Sequence, residues 1–345
     1  MTQYYLHDLL ISIIPVLAVS LLAALIFSIK KNPLHRHIYF YIAKSRPGKT
    51  AFFLLCFYGL IAALDTVKFP VFYIIDGKKT YNRSLSLLDR LYNPAREESY
   101  AAPLAENQLL DSDIKNQQRH ILGTNISGED VLANALKGLK TAFTIAGLTT
   151  LLSLPLGIFF GLLAGFYGKK TDAGITWFYS TLESIPEILL LIALMKVFGS
   201  GLVQLCTALG ITSWVGLCRV VRGETLRQKN MEYVLSARTL GLSPVVIMLR
   251  HILPNIMHIV LISAVLRLSG LIMAEVILSY LGIGVPPGMA SWGIMIDQAR
   301  QELARTPAVW WNISAAFFFM FTLALAINYF GDALRDALDP RTEKH

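Results

Sequence analysis

Seven long apolar runs, separated by shorter polar segments, dominate the hydrophobic pattern of this chain. An α-helix rises about 1.5 Å per residue, so roughly 20 apolar residues cross a hydrocarbon core of about 30 Å. The pattern therefore predicts an all-α integral membrane protein with about seven transmembrane helices. The runs are 9–28, 50–67, 139–166, 174–198, 202–221, 257–283 and 309–331.

The fifth run is the weakest, because Gly, Ser and Thr dilute it. If this run were only re-entrant, every later segment would change sides of the membrane. The basic residues favour seven full spans: the stretch 30–50 holds six Lys or Arg and no acid, whereas residues 1–8 hold no Lys or Arg. The positive-inside rule then places the amino terminus outside and the carboxy terminus in the cytoplasm. The later inside segments 168–172, 219–255 and 335–345 hold 2, 6 and 3 Lys or Arg, and the outside loops 199–201 and 284–308 hold 0 and 2.

The first run has the position of a secretory signal peptide but not its composition. Residues 1–8 lack positive charge, the apolar core is too long, and Lys30 and Lys31 follow it as a stop-transfer flank. These features favour an uncleaved membrane anchor.

Overall composition agrees with a membrane protein. The chain has 54% hydrophobic and 16% charged residues and a mean hydropathy of +0.52. The net charge of +8 is mostly the basic surplus of the predicted inside segments, and no pattern of nucleic-acid binding accompanies it.

Enzyme and metal-site patterns are missing from the sequence. Ser45–Thr50 ends like a phosphate-binding Walker loop, but Ala43 occupies the first required glycine position and no strand is predicted before it. The three cysteines lie in predicted spans without metal-binding or disulfide spacing. The sequence thus predicts no cofactor bound by this chain and leaves transport or scaffolding as its function classes.

A compact polar insert, residues 232–255, interrupts the apolar pattern, and we call it the elbow. Met231–Leu240 predicts a short helix with Tyr233, Val234, Ala237 and Leu240 on one apolar face. Gly241 is placed as a helix stop. Ser243 and Pro244 then predict the N-cap and first turn of a second helix, which ends before Pro254.

The tip of the elbow is predicted to be apolar and surrounded by arginines. Exposed apolar surface of this kind is typical of a docking site for a soluble partner. An amphipathic loop lying on lipid headgroups has the same composition, and the pattern leaves both interpretations open. The arginines are Arg222, Arg227, Arg238 and Arg250.

Several ionisable residues lie inside predicted spans, where a charge requires protein or water around it. Arg267 and Glu275 are eight residues apart on the sixth span, so they share a face but lie about 12 Å apart, too far for a direct pair. Each is interpreted as a polar contact between helices or as part of a translocation path. Glu183 and Glu187 flank Pro186 and are predicted to bend and stabilise the fourth span, with a pathway role as the alternative.

The elbow resembles the EAA loop of ABC-importer permeases, whose consensus is E-A-A-x3-G-x9-I-x-L-P. Ser236, Ala237, Gly241, Leu253 and Pro254 occupy matching positions. Leu235 replaces the Glu and His251 replaces the Ile; together with Glu232 and Tyr233, these departures resemble the dipeptide/oligopeptide (DppC/OppC-like) branch.

Further segments extend the resemblance over about 50–341. They are Leu122–Gly138, "GLLAGFYGKKTD", "SWVGLCRVVRGETL", "ILSYLGIGVPPGMASWGIMI" and "GDALRDALDPR". Glu129 departs from the Arg usual in that branch, loop 68–121 matches nothing, and the first span is additional to the usual six.

This resemblance implies a domain organisation for the whole chain. It comprises an extra N-terminal helix with a basic linker (1–49), a first core helix (50–67), an outside loop region (68–138), the permease core (139–332) with its coupling loop (222–256), and a cytoplasmic tail (333–345).

The resemblance also implies the partners and the bacterial inner membrane as location. A homologous second permease, two P-loop ATPase subunits that bind ATP and Mg, and an extracytoplasmic substrate-binding protein are expected. The substrate is expected to be a short peptide, with nickel or an opine as alternatives. A secondary transporter or a membrane scaffold remains the alternative class. The residues expected to couple to the ATPases are Glu232, Tyr233, Ser236, Ala237, Arg238, Gly241, Leu242, Ser243, Pro244, Leu253 and Pro254.

Overall fold

The computed structural model describes residues 45–75, 78–97, 99–109, 114–286 and 288–338. The predicted first span and most of the basic linker lie outside these residues, as does the end of the tail. Within the described part the chain is mostly helical, as predicted. Elements are numbered here in chain order. The helices are α1 (Arg46–Thr66), α2 (Leu87–Leu91), α3 (Val131–Tyr167), α4 (Lys169–Glu183), α5 (Glu187–Phe198), α6 (Leu202–Gln228), α7 (Glu232–Thr239), α8 (Pro244–Val246), α9 (Leu253–Tyr280), α10 (Trp292–Glu302) and α11 (Trp311–Leu338).

Five helical stretches among the described residues are long and apolar enough to cross a membrane. They are Arg46–Thr66, Val131–Tyr167, Leu202–Gln228, Pro244–Tyr280 and Trp311–Leu338. The weak fifth run is one of them, so its Gly, Ser and Thr residues do not interrupt the helix.

The fourth predicted span is not one helix. The structure divides it into α4 and α5, with Ser184 to Pro186 between them. Pro186 cannot donate a backbone hydrogen bond, and its ring disfavours helical geometry in the preceding residue. The prediction of a bend was therefore correct in place and too weak in degree.

The tightest helix pair joins α3 to α6 through three glycines spaced four residues apart on α3. A Cβ atom at Gly161 would lie 2.6 Å from Val221 Cβ and 2.8 Å from the carbonyl oxygen of Cys218. Gly157 and Gly165 face Leu217 and Thr225 in the same way. Small residues at this spacing let two helix backbones approach closely, which supplies the packing that holds helices together in lipid.

The loop region before α3 is folded and includes a hairpin that the sequence analysis did not predict. Strands β1 (Lys68–Ile75) and β2 (Lys78–Ser86) pair antiparallel, and α3 begins at Val131, eight residues before the predicted span.

Further along this region, buried side chains form hydrogen bonds with one another and with the neighbouring helices. His120 lies between two buried carboxylates: its Nδ1 is 2.8 Å from Asp130 Oδ2 and its Nε2 is 3.2 Å from Glu97 Oε1. The Trp311 indole N–H donates to the carbonyl of Thr124 at 2.9 Å. These contacts fasten the loop region to the ends of α3 and α11.

Candidate functional site: the elbow and the polar residues of the spans

The first half of the elbow forms as its local sequence predicts. Helix α7 begins after Met231 and ends at Thr239 with Leu240 as its C-cap, and Gly241 follows with φ +77°. The Gly241 N–H donates to the Arg238 carbonyl at 3.0 Å, and the Leu242 N–H donates to the Ala237 carbonyl at 3.2 Å. This pair of bonds is a Schellman cap, which requires the left-handed conformation that glycine adopts most easily.

The second half of the elbow differs from the prediction. Ser243 precedes Pro244 as expected, but the helix does not end before Pro254. It continues through a π-helical turn, Ile247–Ile252, directly into α9, and the Leu253 N–H donates to the Met248 carbonyl. In this wider turn the hydrogen bonds join residues five apart. The helix therefore accommodates Pro254, whose ring would otherwise clash with the carbonyl four residues earlier. The second half of the elbow and the membrane-crossing helix α9 thus form one continuous helical stretch from Pro244 to Tyr280.

The inner face of the elbow is buried against α3 and α6. Val234, Ile247 and Ile252 are almost fully buried and belong to one apolar cluster with Leu162 and Val221. The guanidinium of Arg238 lies 4.8 Å from the centre of the Phe166 ring of α3. These contacts connect any displacement of the elbow to the two most tightly packed helices.

The outer face of the elbow is apolar and exposed. Leu240 was predicted to share one apolar face with Val234 and Ala237, but it is 80% exposed, whereas those two residues are buried. The reason is that α7 ends before this residue, so the helical spacing no longer decides its direction. The other exposed apolar residues of the tip are Leu235, Leu242, Val245 and Leu249.

The predicted residues of the elbow divide between these two faces. Ala237 is buried, and Tyr233 and Leu253 are half-buried against the inner cluster. The remaining predicted residues are exposed: Glu232, Ser236, Arg238, Gly241, Leu242, Ser243, Pro244 and Pro254.

The expected ring of four arginines is only partly present. Arg222 is paired with Asp172 of α4, through Nη2 and Oδ2 at 2.8 Å and a second contact between Nε and Oδ1. Lys229 Nζ donates to the carbonyl of Gly165 at 3.0 Å. Arg222 therefore fixes α6 to α4 rather than surrounding the tip.

The pairing with Arg222 changes the pKa of Asp172, which precedes the fourth apolar run. The hydrogen bond from Arg222 is the main cause that lowers the pKa of Asp172 below its usual value. A lowered pKa adds stability above the unfolded-state pKa, near 4, and this stability is lost as pH falls through the folded-state pKa. We expect Asp172→Asn to destabilise the purified protein at pH 7 by about 1–3 kcal/mol, since the bond is charge-assisted and partly buried.

Thermal unfolding in detergent measures this effect. The difference in Tm between the variant and the unaltered protein is expected to shrink toward zero below about pH 4. Asp297→Asn, which removes an exposed pair with Arg300, is the matched control with little expected change. Equal Tm values for all three proteins at pH 7 would contradict the assignment.

Glu275 is fully buried and connects α9 to α10. Its Oε1 accepts hydrogen bonds from Ser279 at 2.8 Å and from Ser291 at 2.7 Å, and Ser291 also caps α10. This geometry agrees with the interpretation of Glu275 as a polar contact between helices.

Arg267 and Glu183 have different surroundings. Glu183 forms an ion pair with Arg219 of α6, close to the break between α4 and α5. Arg267 is half-buried beside Gly216 of α6 and forms no ion pair with Glu275 or any other described residue.

Glu302 is a further buried carboxylate that the sequence did not predict. Glu302, at the end of α10, is fully buried, and its Oε2 accepts a hydrogen bond from Asn312 at 2.9 Å. Burial raises the pKa of its carboxyl group. Nothing in the local sequence separates this Glu from an exposed one, because its burial depends on the packing of α10 against α11.

Comparison with known proteins agrees with this architecture. Residues 157–344 match the family described as "Binding-protein-dependent transport system inner membrane component". The chain belongs to this family. It is a multi-pass membrane permease, and the matched region includes the whole elbow and four of the five candidate spans, α3 only in part.

Curated relatives confirm the predicted resemblance to the dipeptide/oligopeptide permease branch. The oligopeptide transport system permease protein OppC of Haemophilus influenzae is 36% identical over 64% of this chain and 70% of its own length. The dipeptide transport system permease protein DppC of Bacillus subtilis is 32% identical over 70% of this chain and 75% of its own. The glutathione transport system permease protein GsiD of Pectobacterium atrosepticum is 34% identical over 70% and 80%.

Proposed function

We propose that this permease forms half of the translocation pathway of an ATP-driven importer for short peptides. Two relatives are named for oligopeptide and dipeptide transport and a third for glutathione, itself a short peptide. In the proposed assembly a homologous permease supplies the other half of the pathway. Two P-loop ATPase subunits bind ATP and Mg, and an external binding protein delivers the substrate.

The elbow is the proposed contact with an ATPase subunit. The observation that carries this proposal is its two-sided construction: an exposed apolar tip around Leu240, and an inner face packed on α3 and α6. Coupling requires a contact that differs between two states and that moves a rigid element. Since the elbow continues into α9 without a break, closure of the ATPases would move this span directly.

The predicted topology, with the amino terminus outside, places the elbow in the cytoplasm. The position of Lys229, at the end of α6 directly before the elbow, supports this placement, because its side chain lies beside Gly165 and Gly168 at the start of the basic turn 168–172. Both segments were independently assigned to the inside by their Lys and Arg content.

Leu240→Glu tests the proposed contact. Because Leu240 is 80% exposed, a carboxylate there leaves the fold unchanged but adds a charge to the apolar contact. We expect the variant to reach the membrane at normal levels and to co-purify with at least tenfold less ATPase than the unaltered protein. A soluble P-loop ATPase in the purified complex distinguishes this importer from a secondary transporter. Stimulation of its ATP hydrolysis by the loaded binding protein distinguishes the importer from a membrane scaffold.

Leu91→Glu is the matched control. Leu91 is 70% exposed on α2, remote in sequence from the elbow and on the predicted outer side. If Leu240→Glu kept its full share of the ATPase, or if both variants lost it equally, the elbow would not be the contact.

A further inference from the structure

Arg267 occupies the centre of a membrane-crossing helix. Helix α9 has 28 residues, and Arg267 is the fifteenth, which places it about 20 Å along the helix axis from either end at 1.5 Å per residue. The half-thickness of a hydrocarbon core is about 15 Å, so the guanidinium group does not reach the headgroups by extending along the helix. A charge at this depth requires water, protein or a ligand beside it.

The described residues do not neutralise this charge with an ion pair. The span cations Arg219 and Arg222 are paired with Glu183 and Asp172, whereas Arg267 has no such partner among the described residues. Glu187 is near enough for its charge to act on the guanidinium without forming an ion pair.

Gly216 of α6 provides the space for the Arg267 side chain. A Cβ atom at Gly216 would collide with Arg267 Nη1, so the guanidinium group lies directly against the α6 backbone. The group is half-buried in this position, and part of it remains accessible from outside the chain.

The break between α4 and α5 lies beside the part of α6 that contacts Arg267. Phe178 of α4 stacks with Trp214 at a ring separation of 6.1 Å, and Glu183 pairs with Arg219. These contacts bracket Gly216, so the non-helical residues 184–186 lie near the level of Arg267. Residues 183–189 are all exposed in this chain. Exposed non-helical backbone at membrane depth is tolerated only where protein or a water-filled cavity covers it.

We propose that Arg267 binds the C-terminal carboxylate of the translocated peptide. This inference rests on the proposed function of the chain as a peptide permease. A guanidinium group presents parallel N–H donors that match the two oxygens of a carboxylate. Glu187, whose charge acts on the Arg267 guanidinium group, has the sign that suits the peptide's ammonium group. A zwitterionic substrate fits a cation and an acid that lie near each other without pairing. If an acid of the second permease paired permanently with Arg267, Glu187 would have no role. Since conduction requires release, the site contributes to selectivity more than to tight binding.

Uptake of two peptides that differ only at the C-terminus tests this assignment. The complete transporter, with its second permease, ATPases and binding protein, is reconstituted in proteoliposomes and supplied with labelled trialanine or trialanine amide. Each peptide is used at a concentration shown by equilibrium dialysis to saturate the binding protein. The preference for the free acid is compared between the unaltered chain and Arg267→Gln, so that the binding protein's own preference cancels.

We expect Arg267→Gln to reduce uptake of trialanine at least tenfold while leaving uptake of the amide within twofold. Arg267→Lys is expected to retain an intermediate preference, because it keeps the charge and loses the paired donors. Gly216→Leu should displace the guanidinium group and act like Arg267→Gln. Arg300→Gln, which removes an exposed cation of α10, is the control with no expected effect.

The alternatives give different results. An unchanged preference in Arg267→Gln, with normal uptake, would overturn the carboxylate assignment while leaving the permease function intact. Equal loss of both peptides would show that Arg267 supports transport without acting on the carboxylate, and loss of the second permease from the purified complex would show that Arg267 contacts that subunit; either result would also overturn the assignment. If the unaltered transporter took up neither peptide despite a saturated binding protein and active ATPases, the proposed peptide transport itself would fail.

Discussion

Gly241→Asp is expected to abolish ATP-driven peptide uptake while the protein remains in the membrane at its normal level. Open space surrounds Gly241 in the described structure, so the new side chain meets no described atom of this chain. Its backbone has φ +77°, which costs an Asp residue roughly 1 kcal/mol, and a loss of this size does not unfold a protein. The added carboxylate would instead enter the proposed contact with the ATPase, where an unpaired charge is costly.

A second glycine separates the backbone effect from the contact. Gly199 is equally open and has φ +84° with ψ 171°, a conformation at least as unfavourable for Asp, but it lies in the turn between α5 and α6 on the predicted outer side. Gly199→Asp is therefore expected to retain uptake. Labelled-peptide uptake in membrane vesicles, with immunoblotting for protein level, measures both variants. Normal ATP-dependent uptake by Gly241→Asp would refute the role of this residue, and equal loss in Gly199→Asp would reassign the effect to backbone strain.

Gly161→Leu is expected to prevent the protein from folding to a stable form. A Cβ atom at this position already lies within 2.6–2.8 Å of Val221 and of the Cys218 carbonyl, before the rest of a leucine side chain is added. Overpacking of a tight core commonly costs 1–3 kcal/mol, and here the obstruction is partly backbone, which cannot rotate away. Separation of α3 from α6 would also remove the surface on which the elbow packs.

The same substitution in an open helix position provides the control. Gly59 lies on α1 with no described atom near its Cβ position. Gly59→Leu should be neutral or slightly stabilising, since Leu has the higher helix propensity by about 1 kcal/mol. Fluorescence-detected size-exclusion chromatography in detergent reports the folded fraction of each variant. A monodisperse peak of normal height for Gly161→Leu would disprove the close α3–α6 contact.

Some parts of the elbow could be predicted from sequence, and others could not. The stop at Gly241 and the restart at Ser243–Pro244 depend on interactions within one helical turn, so the residue types alone indicate them. Leu240 does not share the face of Val234 and Ala237 as predicted, because the helix that sets this periodicity ends before it. Pro254 was predicted to follow the helix end, but the preceding π-helical turn accommodates it, and Ile247 and Ile252 of that turn are buried in the inner face.

The residue pattern alone predicts the membrane character, the five long spans that the structure describes, the place of the broken span and the local shape of the elbow's first turn. Each depends on composition or on neighbours within about four residues. The partners of the polar residues are known only from the folded chain: Asp172 for Arg222, Ser291 for Glu275, and no described acid for Arg267. Such partners come from other helices, and the packing that brings them together depends on how the whole set of spans fits together.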